Sequence, residues 1–266
     1  MAANTSQSDP ETRPRQTVGK ALAVLDLFDS EHLIWSAEDM CAALHVPVPT
    51  GYRYIRELVS AGLLRRVTGG FALGARIILL DYVMRQTDPL LAAAAPVMRV
   101  LAARTGCDCV LTAVYGEQIL DVHREFGTVP LNLAYGRGRP RPLFSGSAPK
   151  VILATQPIAW TRRIYEAHAA EAANAGMGRD WPEFRATLAT IRKRGFHISH
   201  GEVEAGVSGV GAPIPPYGHE PAAAVAVLAT RDRFALLNER VLIALIGQAA
   251  TEITARLGMG DRPPCP

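Results

Sequence analysis

Three long side chains that lie close together in the sequence could bind an anion: Tyr52, Arg53 and Arg56. At roughly 100° per residue, all three fall on one side of a predicted helix, together with Pro49 and Ser60. The opposite side is small and apolar and comprises Gly51, Ile55, Leu58, Val59 and Gly62. Because arginine binds phosphate oxygens and the guanine edge, the pattern predicts a helix that packs on its own domain and presents a nucleic-acid-binding face.

The neighbouring elements favour the same interpretation. Ser36 and Asp39 have the spacing of a helix N-cap, which predicts a first helix just before the arginine-bearing one. Only residues 45–48 separate the two helices, a break short enough for a helix-turn-helix corner. Two β-type runs then flank Gly69 and Gly70, a pair suited to the positive φ angles of a hairpin turn. Together these elements predict a winged helix-turn-helix.

The location of the charge is more informative than its sum. The 266 residues carry a net charge of only +3. Residues 46–80, however, hold five arginines and one glutamate, a balance of +4, whereas residues 1–45 hold three basic and seven acidic residues. Positive charge is therefore concentrated where a protein would neutralise DNA phosphates. The alternative interpretation is an ordinary solvated face of a helix.

We predict DNA contacts from the start of this helix and from the hairpin. The candidates are Thr50, Tyr52, Arg53, Arg56, Arg65 and Arg66. Thr50 and Tyr52 lie at the helix end that usually enters the major groove, although Tyr52 could instead cover the core of its own domain. Arg65 and Arg66 are neighbours in a predicted strand and point to opposite sides. One of them should reach a phosphate, and the sequence does not say which.

Composition indicates a folded protein with a sizeable core, since 48% of the residues are hydrophobic. No run approaches the roughly 20 apolar residues of a membrane helix. Residues 1–16 lack the apolar region of a secretory signal and are predicted to form a disordered arm. Cys41, Cys107, Cys109 and Cys265 form no CxxC pair and have no histidine at metal-ligand spacing. We therefore expect reduced thiols in the cytoplasm, no membrane contact, no metal site and no cofactor.

The remainder of the chain predicts a mixed domain. We expect helices over 17–28, 74–86, 90–104, 150–155, 160–173, 181–194 and 232–257, and strands over 109–115, 118–123, 129–134, 206–214 and 222–230. Hairpins interspersed with helices indicate an α+β domain, with an antiparallel sheet and helices on its faces. The helix over 74–86 is apolar on nearly every side, which predicts a connector that packs against something large, such as a second copy of the chain.

Four motifs, found in order between residues 17 and 258, resemble the IclR family of transcriptional regulators. They are residues 17–22, residues 46–55, residues 138–150, and a fourth motif made of residues 192–196 and 202–213. The resemblance implies an α/β (α+β) fold with a winged helix-turn-helix over 17–75, a linker helix over 76–88, a GAF-like effector-binding domain over 89–258 and a flexible tail over 259–266. It also implies homodimers or dimers of dimers (homotetramers) on palindromic operators of double-stranded DNA. Lys20, where the family more often has arginine, becomes a further candidate DNA contact.

The same resemblance projects a pocket for a small organic-acid effector. Its residues are Gly146, Ser147, Ala148, Ser199, Val207, Gly209, Ala226 and Leu228. A helix N-terminus binds carboxylates through its backbone N–H groups, although Pro149, where relatives usually have glycine, offers no N–H. Gly209, Ala226 and Leu228 cannot hydrogen-bond through their side chains, so a small polar acid would be poorly satisfied. We predict an aromatic or otherwise hydrophobic carboxylate from a catabolic pathway.

The sequence does not favour catalysis. Ser147 has no GxSxG pattern around it, which argues against a nucleophile. His197 and His200, with Glu202 nearby, could suggest a metal or a general base, but a spacing of three residues in a strand does not place them on one face. We expect no catalytic and no metal-binding residue. The alternative is an enzyme that carries a helix-turn-helix as a docking or autoregulatory module.

Overall fold

The structure is a computed structural model, and it describes residues 17–133 and 136–260. The chain divides into two compact units at the junction of Thr87 and Asp88. The predicted arm over 1–16 and the last part of the predicted tail, 261–266, lie outside the described residues.

The first unit is a winged helix-turn-helix, as predicted. Its elements are α1 (Thr17–Leu22), a 3-10 turn (Leu25–Leu27), α2 (Ala37–Ala43), α3 (Val48–Ser60), β1 (Leu64–Val67), β2 (Gly70–Leu73) and α4 (Arg76–Thr87). The helix predicted over 17–28 is wrong in its extent, because α1 ends at Leu22 and the chain then tightens into the 3-10 turn, a common form for a helix end. The core of the unit is built from Val24, Met40, Tyr54, Ile55, Leu58, Leu64 and Phe71.

Local chemistry explains the corner and the wing. The Ser36 hydroxyl accepts the Asp39 N–H at 3.0 Å, so the predicted N-cap of α2 is confirmed. Gly51 allows α3 to pack closely on α2, since a Cβ at this position would overlap the Cys41 sulfur. Gly70 has a φ of 149°, and a Cβ there would overlap the Trp35 carbonyl oxygen, which belongs to the strand-like bridge beside the wing.

The second unit is an α+β domain, as predicted. Its elements are α5 (Pro89–Thr105), β3 (Asp108–Tyr115), β4 (Gln118–Glu125), α6 (Ser147–Thr155), α7 (Ile158–Ala167), α8 (Ala169–Asn174), α9 (Trp181–Arg194), β5 (His197–His200), β6 (Val207–Ile214), β7 (Ala223–Thr230), α10 (Arg231–Leu236) and α11 (Glu239–Gly260). The five strands form an antiparallel sheet in the order β4-β3-β7-β6-β5. Helices α5 and α11 cover one face, and α6 and α9 cover the other.

The central strand β7 contributes to both cores. Val225 and Val227 pack with α5 and α11, whereas Ala226 and Leu228 face α6. A strand that is covered on both faces has no polar side, which explains why its sequence hardly alternates.

Three predicted elements differ in the structure, one because of a buried carboxylate, one because of a non-helical residue and one because of a capping side chain. The strand predicted over 129–134 is wrong for residues 129–133, which are irregular because the Leu131 N–H donates to the Asp108 carboxylate at 2.9 Å instead of to a strand; Ala134 lies outside the described residues. The helix predicted over 160–173 is divided at His168, whose φ of −133° is not helical. The helix predicted over 232–257 is divided where the Asn238 side chain accepts the Val241 N–H and begins α11.

Helix α11 is long and apolar enough to cross a membrane by length and composition, with a mean hydropathy of 1.3 over Glu239–Gly258. The run nevertheless contains Glu239, Arg240, Glu252 and Arg256, and the expectation of no membrane contact stays a prediction. Leu242, Ile246 and Ile253 of this helix are buried against α5 and the sheet. One face of α11 therefore contributes to the core of the second unit, and the rest of the helix is more exposed.

Candidate nucleic-acid interface and ligand cavity

Helix α3 separates a buried side from a polar one. The buried residues are Gly51, Tyr54, Ile55 and Leu58. Pro49 is compatible with the first turn because a backbone N–H at that position would have no hydrogen-bond partner within the helix. Tyr52, Arg53 and Arg56 are exposed, as predicted. Tyr54 belongs to the core, which the sequence analysis did not anticipate.

A groove of about 440 Å³ lies between α3 and the wing, and we call it the α3 groove. It is lined by Pro49, Tyr52, Arg53, Ile55, Arg56, Val59, Arg66 and Phe71. Four of the seven predicted DNA contacts therefore meet here. Of the two wing arginines, Arg66 faces the groove, and its guanidinium lies 5.3 Å over the Phe71 ring. Lys20, Thr50 and Arg65 lie outside the lining.

The polar groups of the groove differ in how they are held. The Tyr52 hydroxyl donates to Glu38 of α2 at 2.6 Å, which lowers the pKa of Glu38 and raises the pKa of Tyr52. Within the described residues, by contrast, no carboxylate forms an ion pair with Arg53, Arg56 or Arg66. The surface therefore presents positive charge that is not neutralised by the fold.

A second cavity lies between the start of α6 and strands β3, β7, β6 and β5, and we call it the α6 cavity. All eight residues of the projected pocket line it: Gly146, Ser147, Ala148, Ser199, Val207, Gly209, Ala226 and Leu228. The cavity volume is about 30 Å³, which is room for roughly two water molecules. The structure thus brings the predicted residues together around a small space.

Eight further residues line the cavity and were not predicted from the sequence. They are Val110, Thr112, Leu133, Arg141, Glu202, Val203, Glu204 and Ser208. Val110 pairs with Ala226 and Thr112 with Ala224 in the register of β3 and β7. This register places Val110 and Thr112 on the cavity face, and it could not be read from the sequence alone.

One carboxylate of the chain lies at the start of α6. The Gly146 N–H donates to Glu202 Oε2 at 2.8 Å, and Lys150 Nζ lies 2.7 Å from the same oxygen. Burial alone would raise the pKa of Glu202, but His197, Lys150 and the Gly146 N–H lower it to about 2. Glu202 is therefore an anion that already occupies part of the helix start.

A cation lies on the other side of the helix start. Arg141 is 8% exposed, and its Nη1 is 3.6 Å from Asp121 Oδ2. Thr112 Oγ1 donates to Asp121 Oδ1 at 2.9 Å. Burial raises the pKa of Asp121 by more than Arg141 and Thr112 lower it. A Cβ built at Gly146 would lie 3.6 Å from Arg141 Nη2, so the guanidinium is next to the first turn of α6.

Models of known protein families match most of the chain. The model of the IclR helix-turn-helix domain matches residues 17–68, and that of the bacterial transcriptional regulator IclR C-terminal domain matches residues 83–255. The chain belongs to the IclR family. It is a transcriptional regulator with a DNA-binding domain and a C-terminal effector domain, and it is not an enzyme.

Individual relatives of this IclR-family regulator align over most of its length. The regulator KipR of Bacillus subtilis is 25% identical over 253 residues, which are 91% of this chain and 97% of KipR. A solved IclR transcriptional regulator from Silicibacter sp. TM1040 superimposes with a TM-score of 0.77 at 25% identity, covering 94% of this chain and 98% of that one. An IclR homolog from Microbacterium hydrocarbonoxydans, solved with 4-hydroxybenzoate, has a TM-score of 0.71 at 19% identity, covers 92% and 100%, and shows the shared fold.

The histidines near the cavity of this IclR-family regulator lie on opposite faces of β5. His197 faces Glu202, with Nε2 3.8 Å from Oε1, whereas His200 Nδ1 is 3.0 Å from Ser208 Oγ. Over residues 17–133 and 136–260, no group of three or more histidine, cysteine, aspartate or glutamate residues could hold a metal ion.

Proposed function

We propose that this IclR-family regulator binds a specific operator and that an aromatic or otherwise hydrophobic carboxylic acid in the α6 cavity controls this binding. The observation that carries the proposal is the composition of the cavity wall. Val110, Ala226 and Leu228 form an apolar floor on the sheet, while charged groups lie at the start of α6. A ligand with an apolar body and one acidic end fits this division.

The α3 groove is the proposed DNA interface. We infer that Tyr52, Arg53 and Arg56 enter the major groove, because they lie on the exposed side of α3 near its start. Arg66 shares the groove and would reach the same DNA segment. Thr50 is half-buried in α3. Lys20 and Arg65 are exposed, and we propose that these basic side chains contact phosphates.

The proposed assembly is a homodimer or a dimer of dimers on a palindromic operator of double-stranded DNA, acting in the cytoplasm. Its support is helix α4, in which no residue is buried although most are apolar. A helix with that composition is stable in water when a partner covers it.

The free energy of burying apolar surface favours an aromatic effector over a very small acid. Burying roughly 150 Å² of aromatic surface is worth about 4 kcal/mol, whereas a two- or three-carbon oxo-acid buries little apolar area. The 4-hydroxybenzoate found in the Microbacterium homolog is a ligand of this class. Because the cavity holds about 30 Å³, such a ligand must displace wall side chains. Val203, in the loop between Gly201 and Gly206, is a wall side chain that we propose the ligand displaces.

A thermal-shift panel tests the effector class. We expect benzoate or 4-hydroxybenzoate to raise the melting temperature of the purified protein and to change its affinity for its own upstream DNA, while glyoxylate and pyruvate do neither. The control is Gly209→Val, whose Cβ would lie 2.5 Å from Leu228 Cδ2 and 3.3 Å from Ser147 Oγ and would fill the cavity. Stabilisation by glyoxylate or pyruvate, with no response to any aromatic acid, would contradict the proposal.

A further inference from the structure

The lining of the α6 cavity contains one cationic side chain among the residues that the structure describes, and it is Arg141. We propose that Arg141 binds the carboxylate of the effector and selects an acid over a neutral ligand. The inference rests on the effector cavity proposed above, and it adds a residue that the projected pocket did not include. Arg141 lies in the loop between β4 and α6, within the motif over 138–150 but outside the pocket that the resemblance projected.

The helix start by itself is a poor place for the effector's charge. The Gly146 N–H is already used by Glu202, and Pro149 has no N–H. Lys150, the nearest ammonium group, pairs with the same Glu202 carboxylate and does not line the cavity. A second carboxylate placed beside Glu202 would be repelled at short range. The effector's acid group therefore needs a cation on the opposite side of Gly146.

Arg141 supplies that cation in a fixed position. Its backbone N–H donates to the Ile119 carbonyl at 2.7 Å, which holds the loop against the edge of β4. Its Nη2 lies beside Gly146, as the distance of 3.6 Å to a Cβ built there shows. A carboxylate on this edge of the guanidinium would also lie near the N–H groups of the first turn of α6, which have no partner within the helix.

Asp121 holds the other edge of the same guanidinium. Arg141 Nη1 is 3.6 Å from Asp121 Oδ2, a separation longer than that of a charge-assisted hydrogen bond. Thr112 fixes Asp121 through its hydroxyl. Asp121 is thus a positioning residue: it orients the fork of Arg141 so that Nη2 remains directed to the helix start, where the effector's carboxylate would bind.

The remaining wall determines the orientation of the ligand. With the acid group at Arg141, the body of the effector extends over Val110, Ala226 and Leu228. Its far end then approaches Ser199 on β5, which is buried and lines the cavity. This geometry suits a ring with a carboxylate at one end and a small polar group opposite.

The first experiment uses the unmodified protein. Titration calorimetry compares 4-hydroxybenzoate with 4-hydroxybenzamide, which has almost the same shape and no charge. Because hydrogen bonds to a charged group are stronger than neutral ones, we expect the acid to bind roughly 10- to 150-fold more tightly than the amide. Equal affinity for the two compounds would overturn the role of Arg141 without any variant.

The second experiment removes the anchor. Arg141→Met combined with Asp121→Asn takes away both buried charges at once, so neither remains without its partner. We expect this variant to keep its melting temperature within a few degrees of the parent and to bind acid and amide equally. Arg139→Met, an exposed arginine in the same loop, is the matched control and should keep the preference for the acid.

The outcomes separate this inference from the proposed function. A double variant that still prefers the acid would overturn the assignment to Arg141 while leaving the effector class intact. If neither compound binds the unmodified protein and no other aromatic acid does, both proposals fail together.

Discussion

At the scale of single residues, the α3 groove depends on arginines that the fold leaves available. Arg66 rests over the Phe71 ring at 5.3 Å, and Arg53 lies 5.6 Å from the Tyr54 ring centre. Contacts of this kind hold the alkyl part of an arginine without neutralising its charge. The guanidinium groups remain able to bind phosphate or guanine.

Arg53 gives the sharpest test of that surface. We expect Arg53→Ala to weaken binding to the upstream operator by about 1–3 kcal/mol, because an arginine fork on guanine is lost. The melting temperature should not change, since Arg53 is exposed. The measurement is a DNA titration at constant salt.

Arg65 provides the matched control for Arg53. It is an exposed arginine of β1 outside the α3 groove. Arg65→Ala should lower the affinity for specific and for non-specific DNA about equally. It should also reduce the salt dependence of DNA binding by roughly one phosphate contact. Unchanged operator affinity in Arg53→Ala would show that α3 docks on DNA in another way.

At the scale of elements, the helix cap and the hairpin turn were predicted correctly, whereas the helix breaks at His168 and Asn238 and one distant contact were missed. The Ser36 cap and the Gly69-Gly70 turn depend on neighbouring residues, and both are present as predicted. The strand predicted over 129–134 failed because Asp108, more than twenty residues earlier, takes the Leu131 N–H. Sequence periodicity contains no information about such a partner.

The same distinction applies to the ligand cavity. Its eight projected residues came from motifs that resemble a family, and all of them line the cavity. Thr112 and Arg141 were missed. The position of Thr112 in the cavity wall depends on strand register, and that of Arg141 depends on the path of a long loop. Neither signal is local in the sequence.

Helix α4 exposes large apolar side chains, and we expect a second copy of the chain to cover them. Ile78 is 75% exposed and Tyr82 62% exposed, although both are large and apolar or aromatic. We expect the protein to sediment as a dimer or larger assembly at micromolar concentration, and Ile78→Glu with Tyr82→Glu to shift it toward the monomer. Burying two carboxylates in an apolar interface is strongly unfavourable.

Arg85→Glu on the same helix is the control for that experiment. Arg85 pairs loosely with Asp81 at 4.0 Å on the exposed surface, so changing its charge should leave the assembly intact. A monomeric unmodified protein at micromolar concentration would remove the argument for this interface.

At the scale of the whole molecule, the proposed DNA interface and the proposed effector cavity lie in different compact units. An effector can change DNA affinity only if it binds two states of the protein with different strength. The α6 cavity offers such a difference, because its volume of about 30 Å³ excludes a ring unless the wall moves. If an aromatic acid is the effector, as proposed, its binding would therefore be linked to a change in the second unit. Residues of the cavity can be substituted without changing any residue of the proposed DNA interface.

Leu228 allows this separation to be tested. It faces Gly209 across β6 and β7, and it covers the cavity floor. We expect Leu228→Ser to shift the rank order of ligands from aromatic acids toward pyruvate and glyoxylate, because a buried hydroxyl requires a partner that a small polar acid can supply. Leu228→Ala opens the same space without a hydroxyl and should retain the preference for aromatic acids. Both variants should bind operator DNA normally without ligand, since Leu228 lies outside the DNA-binding unit. The measurement is titration calorimetry of each variant with the ligand panel. A uniform loss of affinity for all ligands in Leu228→Ser would mean that the residue only supports packing. An unchanged rank order of ligand affinities would mean that the effector binds elsewhere.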